Sequence, residues 1–401
     1  MRLFIIIFSL LTIQLTVKAQ SDPDAFLRGE ALMQEKLPEQ AIDAFTKSIH
    51  KGNRDAQIYL SRGKAYMANK QYTLAIEDFQ KADSLKENIA SYELSRAYAL
   101  SGNKEKAVEV IKNHLGSSYR LPASVIKLDP AFASLERNRE WLHVWDSTWY
   151  SPEEESAARI NYLLNSKRYI DAIELAGKEI EKNPSKHIFY YLRGKAFQEY
   201  GNPDNALKDY STAIDKFARK ADYYVARASV YRNDHKYEEA AEDMKRAVQL
   251  RAEDPSLLKI LAVDYLNAGN KDDGVEAMNK YAALFRENTE AVYQAGMINY
   301  EAGNYVKALE FFNQNLKNNQ TDPRFFKARG DTYYQTKLFK YAIRDYGMAL
   351  DLNPDLTDVW YMKGQARYQA GDHEGACIDW SRARRQGDVR AAEKLKQYCG
   401  K

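Results

Sequence analysis

Residues 296–312 read GMINYEAGNYVKALEFF, and this stretch decides the fold. Gly296 stands twelve positions before Ala308, the triplet Ala302-Gly303-Asn304 lies between them, and Phe312 follows four after Ala308. The same beat runs outward in both directions. Small residues recur every 34 positions at Ala172, Ala206, Ala240, Gly274, Ala308, Ala342 and Ala376. Twelve before them stand Gly194, Ala228, Ala262, Gly296, Gly330 and Gly364, and four after them Tyr210, Met244, Met278, Phe312, Tyr346 and Trp380. A fixed period of this length marks a solenoid, in which no unit can bury its apolar face alone. Two antiparallel helices approach closely only where both present Gly or Ala, and a large side chain one turn on fills the space beside them.

The turns support helix–turn–helix units. Tyr200-Gly201-Asn202, Ala268-Gly269-Asn270, Ala302-Gly303-Asn304 and Ala370-Gly371-Asp372 share one phase, and Ser101-Gly102-Asn103 repeats the motif nearer the N-terminus. Gly ends the first helix in a left-handed conformation, and Asn or Asp suits entry to the second. Pro184 and Pro354 sit between repeats, where a helix must stop. No alternating strand pattern of useful length occurs, so the chain reads as all-α.

In these positions the chain resembles tetratricopeptide repeat proteins over nearly all of its length. The resemblance implies a right-handed superhelical solenoid of antiparallel helix pairs, about ten repeats long. The front is less regular. Units around Ala41, Ala75 and Ala107 are preceded by Gly29, Gly63 and Ser95, and the step from Ala107 to Ala172 is 65 residues, close to two periods but not equal to them. The expected organisation is a signal segment at 1–19, three repeats over 20–117, an irregular tryptophan-rich segment at 118–152, seven repeats over 153–390, and a capping helix at 391–401. That closing segment, from Ala376-Cys377 to Tyr398-Cys399, is similar to the ends of secreted bacterial members of the family.

Residues 1–19 do not read as part of the fold. An apolar run from Leu3 to Val17 follows Arg2 and ends in Val17-Lys18-Ala19, a small-x-small site of signal-peptidase type. As a helix the run spans only about 22 Å, short of a hydrocarbon core of about 30 Å. A cleaved secretory signal is expected, an uncleaved anchor being the alternative, with export to the periplasm and onward passage to the cell surface or medium left open. Removing 1–19 takes away Arg2 and Lys18 and no acid, so 59 basic residues become 57 against 56 acidic ones. Nothing in that balance recruits nucleic acid or anionic lipid.

The two cysteines, Cys377 and Cys399, fall in neighbouring helices at the end of the array, either as a disulfide or as two buried thiols. Trp141, Trp145 and Trp149 recur at four-residue spacing, which predicts one helix face that closes the first array or offers an aromatic surface. Catalytic patterns are missing: His50, His114, His143, His187, His235 and His373 are scattered, and no zinc spacing, nucleophile elbow, P-loop or dinucleotide fingerprint is found. No enzyme, no metal and no cofactor is expected.

The resemblance also implies where a partner would lie, since first helices of such repeats line an inner groove. Carrying the family's groove positions over gives Tyr191, Tyr293, Tyr300, Arg324, Lys327, Tyr334, Tyr361 and Tyr368. Rings, cations and amides of this kind suit an extended peptide. The two-carboxylate clamp of chaperone-binding members is not supplied by any three consecutive repeats, so capture of a chaperone C-terminus is not expected. The function expected is a non-enzymatic scaffold of the bacterial envelope that binds a protein or peptide partner and no nucleic acid, itself a monomer. A glycan- or peptidoglycan-binding module is the alternative.

Overall fold

Each turn between paired helices forces one residue into the left-handed region, whatever its side chain. The computed structural model describes residues 23–400, so the leader expected at 1–19 lies outside the described residues. At the same phase of successive repeats φ is positive at Lys167, Gly201, His235, Gly269, Gly303, Lys337 and Gly371. Four of these are glycines that the sequence marks openly. The other three accept a backbone strain of about 1–2 kcal/mol each, repaid by the helix packing they permit.

All regular structure among the described residues is helical. The described residues form two compact units: Leu37–Asp146 with 23–29, and 147–400 with Glu30–Lys36. The second unit holds seven helix pairs. They are Pro152–Asn165 with Tyr169–Lys182, His187–Tyr200 with Pro203–Lys216, Ala221–Asn233 with Tyr237–Leu250, and Leu257–Asn267 with Lys271–Leu284. Thr289–Glu301 with Tyr305–Asn318, Pro323–Gln335 with Phe339–Leu352, and Thr357–Gln369 with His373–Arg385 follow. A short helix, Val389–Lys394, and a π turn, Leu395–Cys399, close the unit, and Cys399 is joined to Cys377 by a disulfide with the Cα atoms 5.9 Å apart.

In six of the seven pairs a small residue of the first helix precedes by sixteen positions a large side chain on the second. A methyl group on Gly296 would come within 2.5 Å of the Phe312 ring, and one on Gly364 within 2.5 Å of the Trp380 ring. Where the later residue is methionine instead, at Met244 and Met278, the earlier one is Ala228 or Ala262. The first pair inverts the sizes, with Ile160 facing the position of Ala176, and both are fully buried. Summed volume is thus held roughly constant from layer to layer, as close packing demands.

A second periodic device was not anticipated. Arg193 pairs with Asp209 at 2.8 Å, Arg227 with Asp243 at 2.8 Å, Arg329 with Asp345 at 2.6 Å and Lys363 with Asp379 at 3.5 Å, each sixteen residues apart. Arg62 and Asp78 make the same bridge in the first unit at 2.8 Å. Arg227 also donates to Ser211 at 3.0 Å, and Arg329 to Asn313 at 2.7 Å, on the preceding second helix. One guanidinium therefore ties three helices together. Three repeats of the second unit lack it: the first has Arg159 and Leu175 at these positions, and two later ones place Leu261 and Ala277, then Ala295 and Phe311, all four buried, there.

The first unit contains Pro38–His50, Ala56–Ala68, Tyr72–Leu85, Ser91–Leu100 and Lys104–Leu115, followed by short helices at Ala123–Lys127, Pro130–Leu135 and Arg139–Val144. Trp141 is buried, its ring 5.0 Å from Phe132, which in turn meets Tyr92 at 6.2 Å on helix Ser91–Leu100. The expectation of three tryptophans on one helix face is not met. Helix Arg139–Val144 stops with Trp145 as its C-cap, and Trp149 belongs to the other unit. The next helix starts afresh at Pro152: Ser151 is extended (φ −73°, ψ 160°) and forms a capping box with Glu154.

His114 is buried in this unit. The Leu121 amide donates to its Nε2 at 3.0 Å, leaving Nδ1–H to donate to Ser91 Oγ at 3.2 Å. Burial pushes its pKa from the ordinary 6.5 down to about 4. Between those values the unfolded chain takes up a proton that the folded chain refuses, so this contribution is full above about pH 6.5 and is lost as the pH falls through about 4. The urea midpoint followed by tryptophan fluorescence is expected to drop from pH 7 to pH 4, and His114→Gln should flatten that dependence. An equal slope in the two proteins would exclude His114 as its source.

Candidate functional site

Successive first helices touch one another through their polar side chains. Gln198 Nε2 donates to Ser229 Oγ at 3.1 Å, and Arg232 grips the fully buried Asp264 at 2.6 and 2.7 Å. Further along, Arg324 reaches back to Glu290 at 3.4 Å, Lys327 reaches forward to Asp358 at 3.4 Å, and Gln335 Nε2 donates to Tyr300 Oη at 3.3 Å. These contacts link helices Thr289–Glu301, Pro323–Gln335 and Thr357–Gln369 into one face.

The structure brings Tyr293, Arg324 and Lys327 close together, with Tyr300 and Tyr334 on the same two helices. The Tyr293 ring sits 5.5 Å from Phe325 and 6.1 Å from Phe312, under the Arg324 guanidinium at 5.2 Å. Lys327 also bonds Asp331 at 2.9 Å, and Asp331 accepts the Tyr346 hydroxyl at 2.8 Å. Burial works to lower the Lys327 pKa, but the Asp331 and Asp358 carboxylates outweigh it and hold the ammonium above its usual range. A hydrogen bond to Asp322 does the same for Arg324. Both cations are therefore already neutralised. They do not stand free to meet a partner's carboxylate.

Tyrosines of the face lean on the turn beside them in a repeating way: Tyr300 on Tyr305 at 5.8 Å, Tyr334 on Phe339 at 5.6 Å, and Tyr368 on His373 at 4.7 Å. Tyr300 and Tyr334 are half-buried, with part of each ring open. The last two candidates, also half-buried, are contacted in addition by the closing segment. Arg390 lies over Tyr361 at 4.3 Å, and Tyr368 is packed between Trp380 at 5.8 Å and Tyr398 at 4.4 Å. Tyr191 stands apart, three repeats away, against Tyr223 at 4.7 Å and Tyr210 at 5.9 Å. Among the described residues no group of three His, Cys, Asp or Glu side chains is placed to hold a metal ion, and no helix is long and apolar enough to cross a membrane.

Tetratricopeptide repeat models match residues 215–335, and again residues 26–88 and 327–388. The chain is a tetratricopeptide repeat protein. Among curated relatives, Protein O-mannosyl-transferase TMTC1 of Homo sapiens is 23% identical over 201 residues, covering 49% of this chain and 23% of its own. DnaJ homolog subfamily C member 3 of Homo sapiens is 22% identical over 215 residues, 53% of this chain and 38% of its own. The Hsp70-Hsp90 organizing protein of Triticum aestivum is 23% identical over 223 residues, 45% of this chain and 38% of its own. The chain thus spans 23–38% of the length of these relatives.

Among solved structures, YrrB, described as a tetratricopeptide repeat protein with an unusual peptide-binding site, matches at 22% identity with a TM-score of 0.41, covering 47% of this chain and 97% of its own. The C-terminal part of a repeat protein from Cytophaga hutchinsonii matches at 18% identity with a TM-score of 0.48, covering 60% and 99%. Tetratricopeptide repeat proteins generally bind protein or peptide partners, and the chain is a protein-interaction scaffold of that kind. The repeat fold is in general non-catalytic, though one of the relatives above is named as a transferase.

Proposed function

We propose that this repeat protein is a non-enzymatic scaffold of the bacterial cell envelope, exported to the periplasm, that holds a partner segment against the face of its first helices between Tyr293 and Tyr334. The observation that carries the reading is the pre-aligned face itself. Ion pairs and the Gln335–Tyr300 hydrogen bond link three consecutive first helices, while the half-buried rings of Tyr300 and Tyr334 remain available. Such a lining offers contact area at small entropic cost and hydrogen bonds for a peptide backbone. With its cations matched internally, it favours a neutral stretch of chain over an acidic one.

Export is supported by the Leu3–Val17 run with Val17-Lys18-Ala19 and by the Cys377–Cys399 disulfide, which fits an oxidising compartment. The test is crosslinking and co-purification of the tagged protein from envelope fractions, beside a Tyr300→Ala/Tyr334→Ala variant. Tyr368 is left intact because it is part of the closing core. A protein partner held by wild type and lost at least tenfold by the folded variant supports the reading. Equal recovery by both removes the face from consideration, and capture of soluble wall oligosaccharide with no protein replaces the scaffold by a glycan-binding module.

A further inference from the structure

The cations of the first-helix face are matched by neighbouring acids, and at the closing end of the second unit Arg390 is matched by Asp388, but three cations there are not. A cavity of about 710 Å³ opens between helix His373–Arg385 and the closing segment, walled by Ile378, Ser381, Arg384, Arg385, Leu395 and Lys396 beside the disulfide. Arg384, Arg385 and Lys396 form no ion pair with a carboxylate among the described residues, and Glu374 is the one acid in the lining. In a chain whose charges otherwise nearly cancel, three unmatched cations around one cavity are a local excess.

Position along the repeat says what shape this cavity suits. A similar furrow, about 460 Å³, runs between second helices one repeat apart, lined on one side by Asn313, Leu316 and Lys317 and on the other by Arg344, Asp345 and Met348. Two periods later Asn313, Leu316 and Lys317 become Ser381, Arg384 and Arg385, the wall of the larger cavity. Within the described residues its far side is the closing segment and not another second helix. The side chains there are also out of keeping with earlier repeats. Ile378 is 55% exposed where they carry Lys208, Glu242, Glu276, Glu310 and Arg344. Arg384 stands where they bury Ile214, Leu316 and Leu350.

We propose that this cavity docks an acidic amphipathic helix of a protein partner, lying where a further second helix would lie. Its apolar side rests on Ile378 and Leu395, and its carboxylates meet Arg384, Arg385 and Lys396. The site is separate from the tyrosine face, and the two can fail independently.

The protein's own second helices provide a probe. A fluorescein-labelled peptide of sequence Tyr237–Leu250 carries Glu238, Glu239, Glu242 and Asp243 against Lys245 and Arg246. Its anisotropy is titrated with the full chain at low salt. Saturable binding is expected, at least tenfold weaker in an Arg384→Glu/Lys396→Glu variant and unchanged in Tyr300→Ala/Tyr334→Ala. A probe with Glu238→Lys, Glu239→Lys and Glu242→Lys should bind wild type at least tenfold more weakly and regain binding to the charge-reversed protein. Both arginine and lysine positions are exposed, so the variant's thermal midpoint should match wild type. No binding of the acidic probe, or equal binding by both probes or to both proteins, overturns the proposal. So does a wild-type dimer in sedimentation that the same charge reversal dissolves, since a second copy would then occupy the site.

Discussion

Asp345→Ala is expected to destabilise the second unit by about 3–5 kcal/mol, the usual cost of removing one partner of a buried ion pair. Asp345 is 1% exposed and accepts from Arg329 Nε at 2.6 Å and Nη2 at 2.8 Å. Its loss leaves a guanidinium in the wedge between helices with only Asn313 to receive it. The chain also contains the apolar solution to the same problem. The preceding repeat places Ala295 and Phe311 where Arg329 and Asp345 stand, and both are buried. An Arg329→Ala/Asp345→Phe double variant should therefore recover most of the loss, because the cost lies in the unmatched charge and not in the missing bond. Urea denaturation, with hydrogen exchange of helix Phe339–Leu352 as the local readout, decides the matter. A double variant no more stable than Asp345→Ala would show that the polar bridge is required at this layer.

The ladder illustrates which features the sequence exposes. Arg193, Arg227, Arg329 and Lys363 keep the 34-residue beat, and so do Asp209, Asp243, Asp345 and Asp379, so the pairing was written in the same period that revealed the helices. The left-handed turns were half legible: Gly201, Gly269, Gly303 and Gly371 announce them, whereas Lys167, His235 and Lys337 adopt the same φ only because the packed helices require it. The face of first helices was harder to read. Whether Lys327 is free depends on Asp358, 31 residues on, and whether Tyr368 is open depends on Tyr398 in a segment outside the repeat register. Spacing gives the direction of a side chain along its own helix, but the neighbour that meets it is set by the stacking of layers. The three tryptophans do not share a face for a related reason, since four-residue spacing implies one only while the helix continues, and this helix stops at Val144 before a new one starts at Pro152.

Phe312→Ala is expected to cost about 3–5 kcal/mol, as for other fully buried aromatic residues. The more telling result comes from its partner. Gly296→Ala forces a methyl group to 2.5 Å from the Phe312 ring, an overpacking strain of about 1–3 kcal/mol. In an open helix the same change would be favourable by about 1 kcal/mol, so a net loss reports the clash and not helix propensity. One repeat earlier, Ala262 and Met278 occupy these positions, both essentially fully buried. Methionine is unbranched and can bend around a methyl group where a phenyl ring cannot. Gly296→Ala/Phe312→Met should then be more stable than the sum of the two single changes by over about 0.5 kcal/mol, the coupling expected of residues in direct contact. Strict additivity in thermal and urea unfolding would mean that glycine and ring do not constrain each other. A positive coupling would mean that each layer tolerates exchange only of the pair, so that the 34-residue pattern conserves a volume shared by two helices and not a residue type at either one.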